Sequence, residues 1–427
     1  MSAASSAGRL PADIGAIRTI PGMGREGWIR RLGPWAGIGT SPAALMAGGG
    51  VAEGIEGVLL VVALVLGTLA LGTLATTQGV LGQRSGRSLL QLTAGPLGSA
   101  GSRATASLAM LAMMLGWFAL NVSVAGEALA RLVDIPDRAG MALFAALMLA
   151  VVWRGINVLS WSALAAGVAT TALATYGLAE VVANRDLALR GAGGAVDPVG
   201  AVQGIALMVG YGAAFSLRTP DFTHDLARPR FVVWCALVGM VLPVIAFGLV
   251  GATLQISTGS WDLSEVLREL DSPTIAFLFL AVGFSGSVMT NIYSGALSLS
   301  DAIPRISHRP GLVGVAIVGT GLAALHFSRW MIPYLTVMAL SAPPLIGICV
   351  LDALRFRRAR DREEAEGPAG ARGGWHVPGL MSWAAGFVAG LALYVGGSSL
   401  ALPGSLAVAM ALYTLFSSRA PLGVRRV

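Results

Sequence analysis

Long apolar stretches separated by short polar ones recur from residue 33 to residue 418. Each approaches the ~20 residues a helix needs to cross a bilayer. The pattern predicts twelve spans, at 33–51, 55–81, 104–130, 139–156, 158–182, 199–217, 230–256, 273–298, 311–327, 331–354, 379–396 and 401–418. Several are rich in Gly, Ala and Ser, which let membrane helices pack closely. Composition changes nothing in this picture: 55% of residues are hydrophobic and 12% charged, about half the charged share of a soluble domain. The chain reads as an all-α polytopic membrane protein. Residues 1–32 carry five Arg and no long apolar core, so they read as a cytoplasmic tail and not a signal peptide. The insert at 355–378, "RFRRARDREEAEGPAGARGGWHVP", mixes charges and is rich in Gly. It reads as a flexible cytoplasmic linker, with a second cytoplasmic tail at 419–427.

Charge sets the expected orientation. The net charge is +7, and every basic residue is Arg. With the amino terminus inside, the external loops hold only Arg131, Arg138, Arg185, Arg190, Arg268 and Arg329. The external stretch "TGSWDLSEVLRELDSP" (258–273) carries Asp262, Glu265, Glu269 and Asp271. This positive-inside bias puts both termini in the cytoplasm of a cell-membrane protein. It accounts for the positive charge without nucleic acid. Cys235 and Cys349 lie in apolar runs with no partner spacing and read as small buried hydrophobes.

The stretch "GIGTSPAALMAGGG" (37–50) puts Thr40-Ser41-Pro42 inside a span. Backbone groups cannot be left unpaired in lipid, so an interruption there implies a protein- or water-lined cavity. Span 6, "MVGYGAAFSLRTPDFTHD" (208–225), carries Gly210, Gly212 and Pro220. Spans 1 and 6 open the two five-span halves of the first ten. Interruptions in matching positions point to a secondary transporter with inverted repeats, so unwinding is expected at Thr40–Pro42 and near Gly212. Gly and Pro are also common in ordinary membrane helices.

Two polar sets lie within spans. "LGWFALN" (115–121) places Trp117 and Asn121 four apart, on one helix face. They offer a flat face for a planar ring and an amide for its edge. The same pair equally suits a packed helix interface. "FSGSVMTNIYSGALSLS" (284–300) spaces Ser287–Asn291 and Thr290–Ser294 four apart. Their oxygens, with carbonyls freed at a helix break, suit an alkali cation; interhelical hydrogen bonding is the alternative. Glu53, Glu56 and Glu127 fall near span ends, where pairing or solvation suffices. "GMGREG" (22–27) has no strand before it, so it is no nucleotide fingerprint. His224, His308, His326 and His376 show no metal spacing. With no triad order or clustered acids, an enzyme is not expected.

Five stretches together resemble the nucleobase–cation symporter-1 family, especially its cytosine-permease branch. They are "GIGTSPAALMAGGG", "GQRSGRSLLQLTAGPLGSAGS" (82–102), "GWFALN", "TPDFTHDLARP" and "TNIYSGALSLSDAIP". The resemblance implies a leucine-transporter-like fold of the amino acid–polyamine–cation superfamily. That means twelve transmembrane helices: inverted five-helix repeats at 33–182 and 199–354, then two further helices at 379–418. It implies sodium- or proton-driven uptake of a nucleobase such as cytosine or a purine, or a related small heterocycle, by alternating access. An amino acid or a pyrimidine vitamin precursor of the hydroxymethylpyrimidine or thiamine type is the alternative cargo on the same fold. Carried over by residue, Trp117 stacks the ring, and Asn121, Asn291, Ser41, Tyr211 and Gly212 complete the substrate set. Gly37 and Thr40, with Ser285 and Ser287, form the cation set. No catalytic residue and no metal other than a coupling Na⁺ is implied. The chain departs from relatives at Gly212, where they carry an aromatic, at Met114, where cytosine-type members carry Gln, and at "SVMTN", where they carry an Asn-Asp-Asn cluster.

Overall fold

A computed structural model of the chain describes residues 26–184, 198–325, 327–363 and 374–419. The first half holds α1 (Trp28–Gly39), α2 (Ala43–Ala52), α3 (Gly57–Ser85), α4 (Leu89–Leu97), α5 (Ser99–Val133), α6 (Asp137–Val152) and α7 (Ile156–Asn184). Next come α8 (Pro198–Arg218), the single turn α9 (Pro220–Thr223), α10 (Pro229–Thr258), the short α11 (Leu263–Glu269) and α12 (Pro273–Ala302). The chain ends with α13 (His308–Ala324), α14 (Met331–Glu363), α15 (Val377–Val395) and α16 (Ala401–Arg419).

Among the described residues, eight helices are long and apolar enough to cross a membrane: α3, α5, α7, α8, α10, α12, α14 and α15. The other four predicted spans coincide with shorter helices, namely the α1–α2 pair, α6, α13 and α16. Large apolar side chains such as Val168, Ile317, Val388 and Leu66 face outward, as expected of a lipid-facing exterior.

The pair α1–α2 runs through the middle, and small residues let its neighbours approach. A Cβ added to Gly37 would lie 2.8 Å from the backbone of Gly286 in α12. One added to Gly39 would lie 2.0 Å from the carbonyl oxygen of Gly239, which sits in a π-helical turn of α10, Leu237–Val241. Such turns displace a helix locally and recur at functional sites.

The break expected at Thr40–Pro42 is present, between α1 and α2. The one expected near Gly212 is not: α8 continues to Arg218, and the chain departs from it only at Thr219. No proline lies between residues 199 and 219 to remove a helical donor. The glycines of α8 serve close packing instead. A Cβ on Gly210 would meet the Leu335 carbonyl oxygen at 2.6 Å, and one on Gly212 would meet Leu71 at 2.7 Å. A second correction concerns the linker. α14 persists past its expected end at 354 to Glu363, and residues 364–373 lie outside the described residues, as do 1–25 and 420–427. The first tail also ends in helix, since α1 begins at Trp28.

The motif after α8 is stitched to three helices. Thr219 Oγ1 donates to Ala75 O at 3.0 Å, and Thr223 Oγ1 to Gly79 O at 2.8 Å. Asp221 Oδ1 accepts from Leu89 N at 2.8 Å, at the start of α4. Asp225 pairs with the buried Arg31 of α1, and Gln83 Nε2 donates to Leu226 O at 2.9 Å. Asp225→Asn leaves the Arg31 guanidinium without its counter-charge. The expected loss is about 1–3 kcal/mol, read as a lower melting temperature of the purified variant. An unchanged melting temperature contradicts a tie at this point.

Candidate functional site

The helix break frees backbone oxygens. Pro42 has no N–H, so Ile38 O lacks its usual helical donor. The Tyr211 hydroxyl donates to it instead, beside Ser41 N at 3.2 Å. Ala43 N turns to Ser41 Oγ at 3.4 Å, and Ala44 N to Ser41 O at 2.9 Å. The N–H groups that a continuous helix would aim at Gly37, Gly39 and Thr40 therefore point elsewhere. Carbonyl oxygens at such a break are available to a solute.

Around the break lies a chamber with a volume of about 10 Å³, room for one water. The broken helix contributes Ile38 and Ser41, α5 contributes Met114, Trp117 and Asn121, and α12 contributes Ser287 and Asn291. From α8 come Tyr211, Phe215 and Arg218, at the i, i+4, i+7 spacing of one helix face. Trp117 is 7% exposed. Tyr211 and Tyr334 meet it edge to face, with centroids 5.9 and 5.8 Å away at 89° and 80°. Tyr334 reaches this position because residue 116 is Gly; a Cβ there would lie 2.4 Å from its ring. Its hydroxyl donates to Met113 O.

Two amides are half satisfied. Asn121 Nδ2 donates to Ser287 Oγ at 3.0 Å, and Ser287 Oγ donates onward to Phe284 O at 3.0 Å. This leaves Asn121 Oδ1 as a buried acceptor without a partner. Asn291 Oδ1 accepts from Arg218 Nη2 at 3.3 Å, which leaves Asn291 Nδ2 as a buried donor without one. Each such atom costs about 1–3 kcal/mol unless something pairs it. A free acceptor and a free donor beside an indole suit the –NH–C=O edge of a flat ring.

Of the residues expected to form the substrate set, Trp117, Asn121, Ser41, Tyr211 and Asn291 all line this chamber. Gly212 does not: it faces Leu71 of α3, one residue round the helix from Tyr211. Ser287, expected with the cation set, sits in the chamber wall bonded to Asn121. Of the remaining cation-set residues, Gly37 and Ser285 lie where α1 crosses α12, and Thr40 faces α7. Gly37 touches Gly286, and Ser285 Oγ donates to Val282 O at 2.6 Å. Thr40 Oγ1 donates to Ala36 O at 2.8 Å and turns toward Gly167 of α7. Among the described residues no group of three His, Cys, Asp or Glu could hold a metal ion.

Sequence reasoning missed Arg218 and Tyr334. Arg218 is spaced seven from Tyr211, so its face was readable; its depth was not. Nothing local marks Tyr334, near the start of α14.

Beyond Pro42 is a second cavity of about 70 Å³, bounded by Leu45, Met46, Phe279 and Trp261. Trp261 precedes α11 and lies against Gly49 of α2.

Compared with known proteins, residues 37–416 match the family described as permease for cytosine/purines, uracil, thiamine, allantoin. A cytosine permease of Escherichia coli (strain K12) is 25% identical over 349 residues, which cover 79% of this chain and 80% of that one. A hydantoin permease of Microbacterium maritypicum is 30% identical over 132 residues, 29% of this chain and 27% of that one. The fold is similar to that of Mhp1, a nucleobase-cation-symport-1 family transporter solved in a closed conformation with bromovinylhydantoin bound. The TM-score is 0.78 at 18% identity, covering 94% of this chain and 95% of that one.

Proposed function

The chain belongs to the permease family for cytosine/purines, uracil, thiamine and allantoin, the nucleobase–cation symporter-1 family, and from that premise we propose how this transporter selects and moves its cargo. A small planar heterocycle with an amide edge occupies the chamber at the α1–α2 break. The carrying observation is the buried, unpartnered pair Asn121 Oδ1 and Asn291 Nδ2 beside Trp117. The ring stacks on the indole, and its N–H and C=O satisfy the two amides. The cytosine permease and hydantoin permease relatives and the bromovinylhydantoin-bound Mhp1 carry rings of this kind.

A ring does not fit a chamber of about 10 Å³. Tyr211 bridges the chamber to the Ile38 carbonyl, and breaking that bridge opens it. Coupling follows if a cation, Na⁺ or H⁺, binds where the carbonyls of α1 meet Ser285 of α12. Its occupancy favours the conformation in which the chamber accepts the ring, since a ligand shifts only equilibria between states it binds unequally. The chain crosses the membrane twelve times, its first ten spans forming two inverted repeats, and both termini face the cytoplasm. The Arg distribution supports that orientation.

Uptake by the protein in liposomes tests this. An inward cation gradient drives saturable accumulation of labelled uracil or cytosine, and excess unlabelled ring competes it away. Competition only by amino acids, or none by any heterocycle, contradicts the reading.

A further inference from the structure

The chamber carries a fixed positive charge. Arg218 is 0% exposed and lines the chamber beside Asn291 and Ser287. Its guanidinium lies beside two rings that stack on each other, 5.4 Å from the Phe215 centroid and 5.5 Å from that of Phe222, with the two ring centroids 5.9 Å apart. Nη1 donates to Thr290 O at 2.9 Å and contacts Met114 Sδ at 2.7 Å; Nη2 donates to Asn291 Oδ1 at 3.3 Å; Nε has no partner. Arg218 makes no ion pair among the described residues. The nearest acid along the chain, Asp221, attracts Arg218 through space but makes no ion pair with it and spends one oxygen on Leu89 N. The groups that Arg218 itself contacts, Met114 Sδ, Thr290 O and Asn291 Oδ1, are all neutral.

This is an unusual arrangement for a neutral cargo. A guanidinium buried in a membrane-embedded chamber is costly unless an anion shares the site. Its planar edge is shaped for two-point binding of a carboxylate. Contact with the stacked pair Phe215 and Phe222 keeps that edge in place, as a cation–π contact does.

Resting on the heterocycle reading above, we propose that this permease's preferred substrate is an anionic planar heterocycle, its negative edge bound by Arg218. The neutral amide edge of the ring lies on Asn121 and Asn291, and the charged substituent replaces the long contact from Nη2 and engages Nε. Met114 stands beside Arg218 in the wall. An apolar side chain there competes with neither the guanidinium nor the anion.

The test compares rings that differ only by the charge. Uracil, uracil-5-carboxylate and uracil-6-carboxylate are titrated against the purified full-length wild type, with sodium present, by calorimetry. One carboxylated isomer is expected to bind at least roughly tenfold more tightly than uracil, the factor a single net charge-assisted hydrogen bond supplies. Arg218→Gln removes the preference, so that within this variant neither carboxylate binds more tightly than uracil, whatever the change in uracil affinity itself. Because this variant removes a buried group, Arg218→Lys is the second variant; it keeps the preference for the carboxylate but weakens it. The wild-type comparison stands even if neither variant folds. Uracil binding as tightly as, or more tightly than, both carboxylates overturns this inference and leaves the heterocycle reading intact. Binding of none of the three overturns both.

Discussion

Trp117→Ala abolishes saturable uptake while the protein still inserts and purifies as a folded carrier. Truncating an aromatic that stacks a base costs about 1–3 kcal/mol. Tyr211 and Tyr334 also lose the indole their edges rest on, each such pair being worth about 0.5–1.5 kcal/mol. The lost stacking alone lowers apparent affinity by roughly 5- to 150-fold, and the freed tyrosines no longer hold the chamber's shape. Trp117→Phe keeps a face and recovers part of the uptake. Both variants are read by uptake in liposomes beside a size-exclusion profile. Normal uptake in Trp117→Ala removes the stacking pose.

Gly286→Ala destabilises the carrier, against the usual trend for helices. Gly to Ala within a helix ordinarily gains about 0.5–1 kcal/mol. Here the added methyl would lie 2.9 Å from the Gly37 Cα. Both partners are backbone, with no flexible end to move aside, so α1 and α12 must separate. Overpacking of this kind costs about 1–3 kcal/mol. Separation also moves the α1 carbonyls away from the proposed cation partner Ser285, so the cation dependence of uptake is expected to weaken along with the melting temperature. A variant as stable as the wild type, with the same cation dependence, shows that the crossing is neither tight nor coupled to transport.

The parts of the fold that were legible follow from rules that act locally. Apolar runs of spanning length mark helices, because lipid leaves the backbone no other partner. Pro42 broke its helix as expected, because a missing N–H is a chemical fact about one residue. Gly212 misled because glycine has two uses in a membrane helix. It permits unwinding, and it permits contact; only the neighbour, here Leu71, decides between them. The α8 break was inferred by analogy with span 1, yet α8 lacks the proline that made span 1 break.

The site was legible in the same uneven way. Trp117 and Asn121 sit on one face four residues apart, and Ser287 and Asn291 on another, so each pair was readable by itself. That Asn121 bonds Ser287 across 3.0 Å is a tertiary fact. It puts Ser287, expected with the cation set, in the chamber wall beside Asn121. Arg218 was the largest omission. An arginine at the predicted end of a span ordinarily reaches toward water. This one is turned inward by Phe215 and Phe222 and tied to the Thr290 carbonyl, partners that lie on its own helix face, one turn beyond, and on a distant helix.

The most direct measurement is a structure of the purified protein with saturating uracil or a uracil carboxylate. Ring density is expected against the face of Trp117, with one ring N–H toward Asn121 Oδ1 and one ring oxygen toward Asn291 Nδ2. Density for the ring elsewhere, with the Tyr211–Ile38 bridge closed and Trp117 still flanked only by tyrosines, contradicts it.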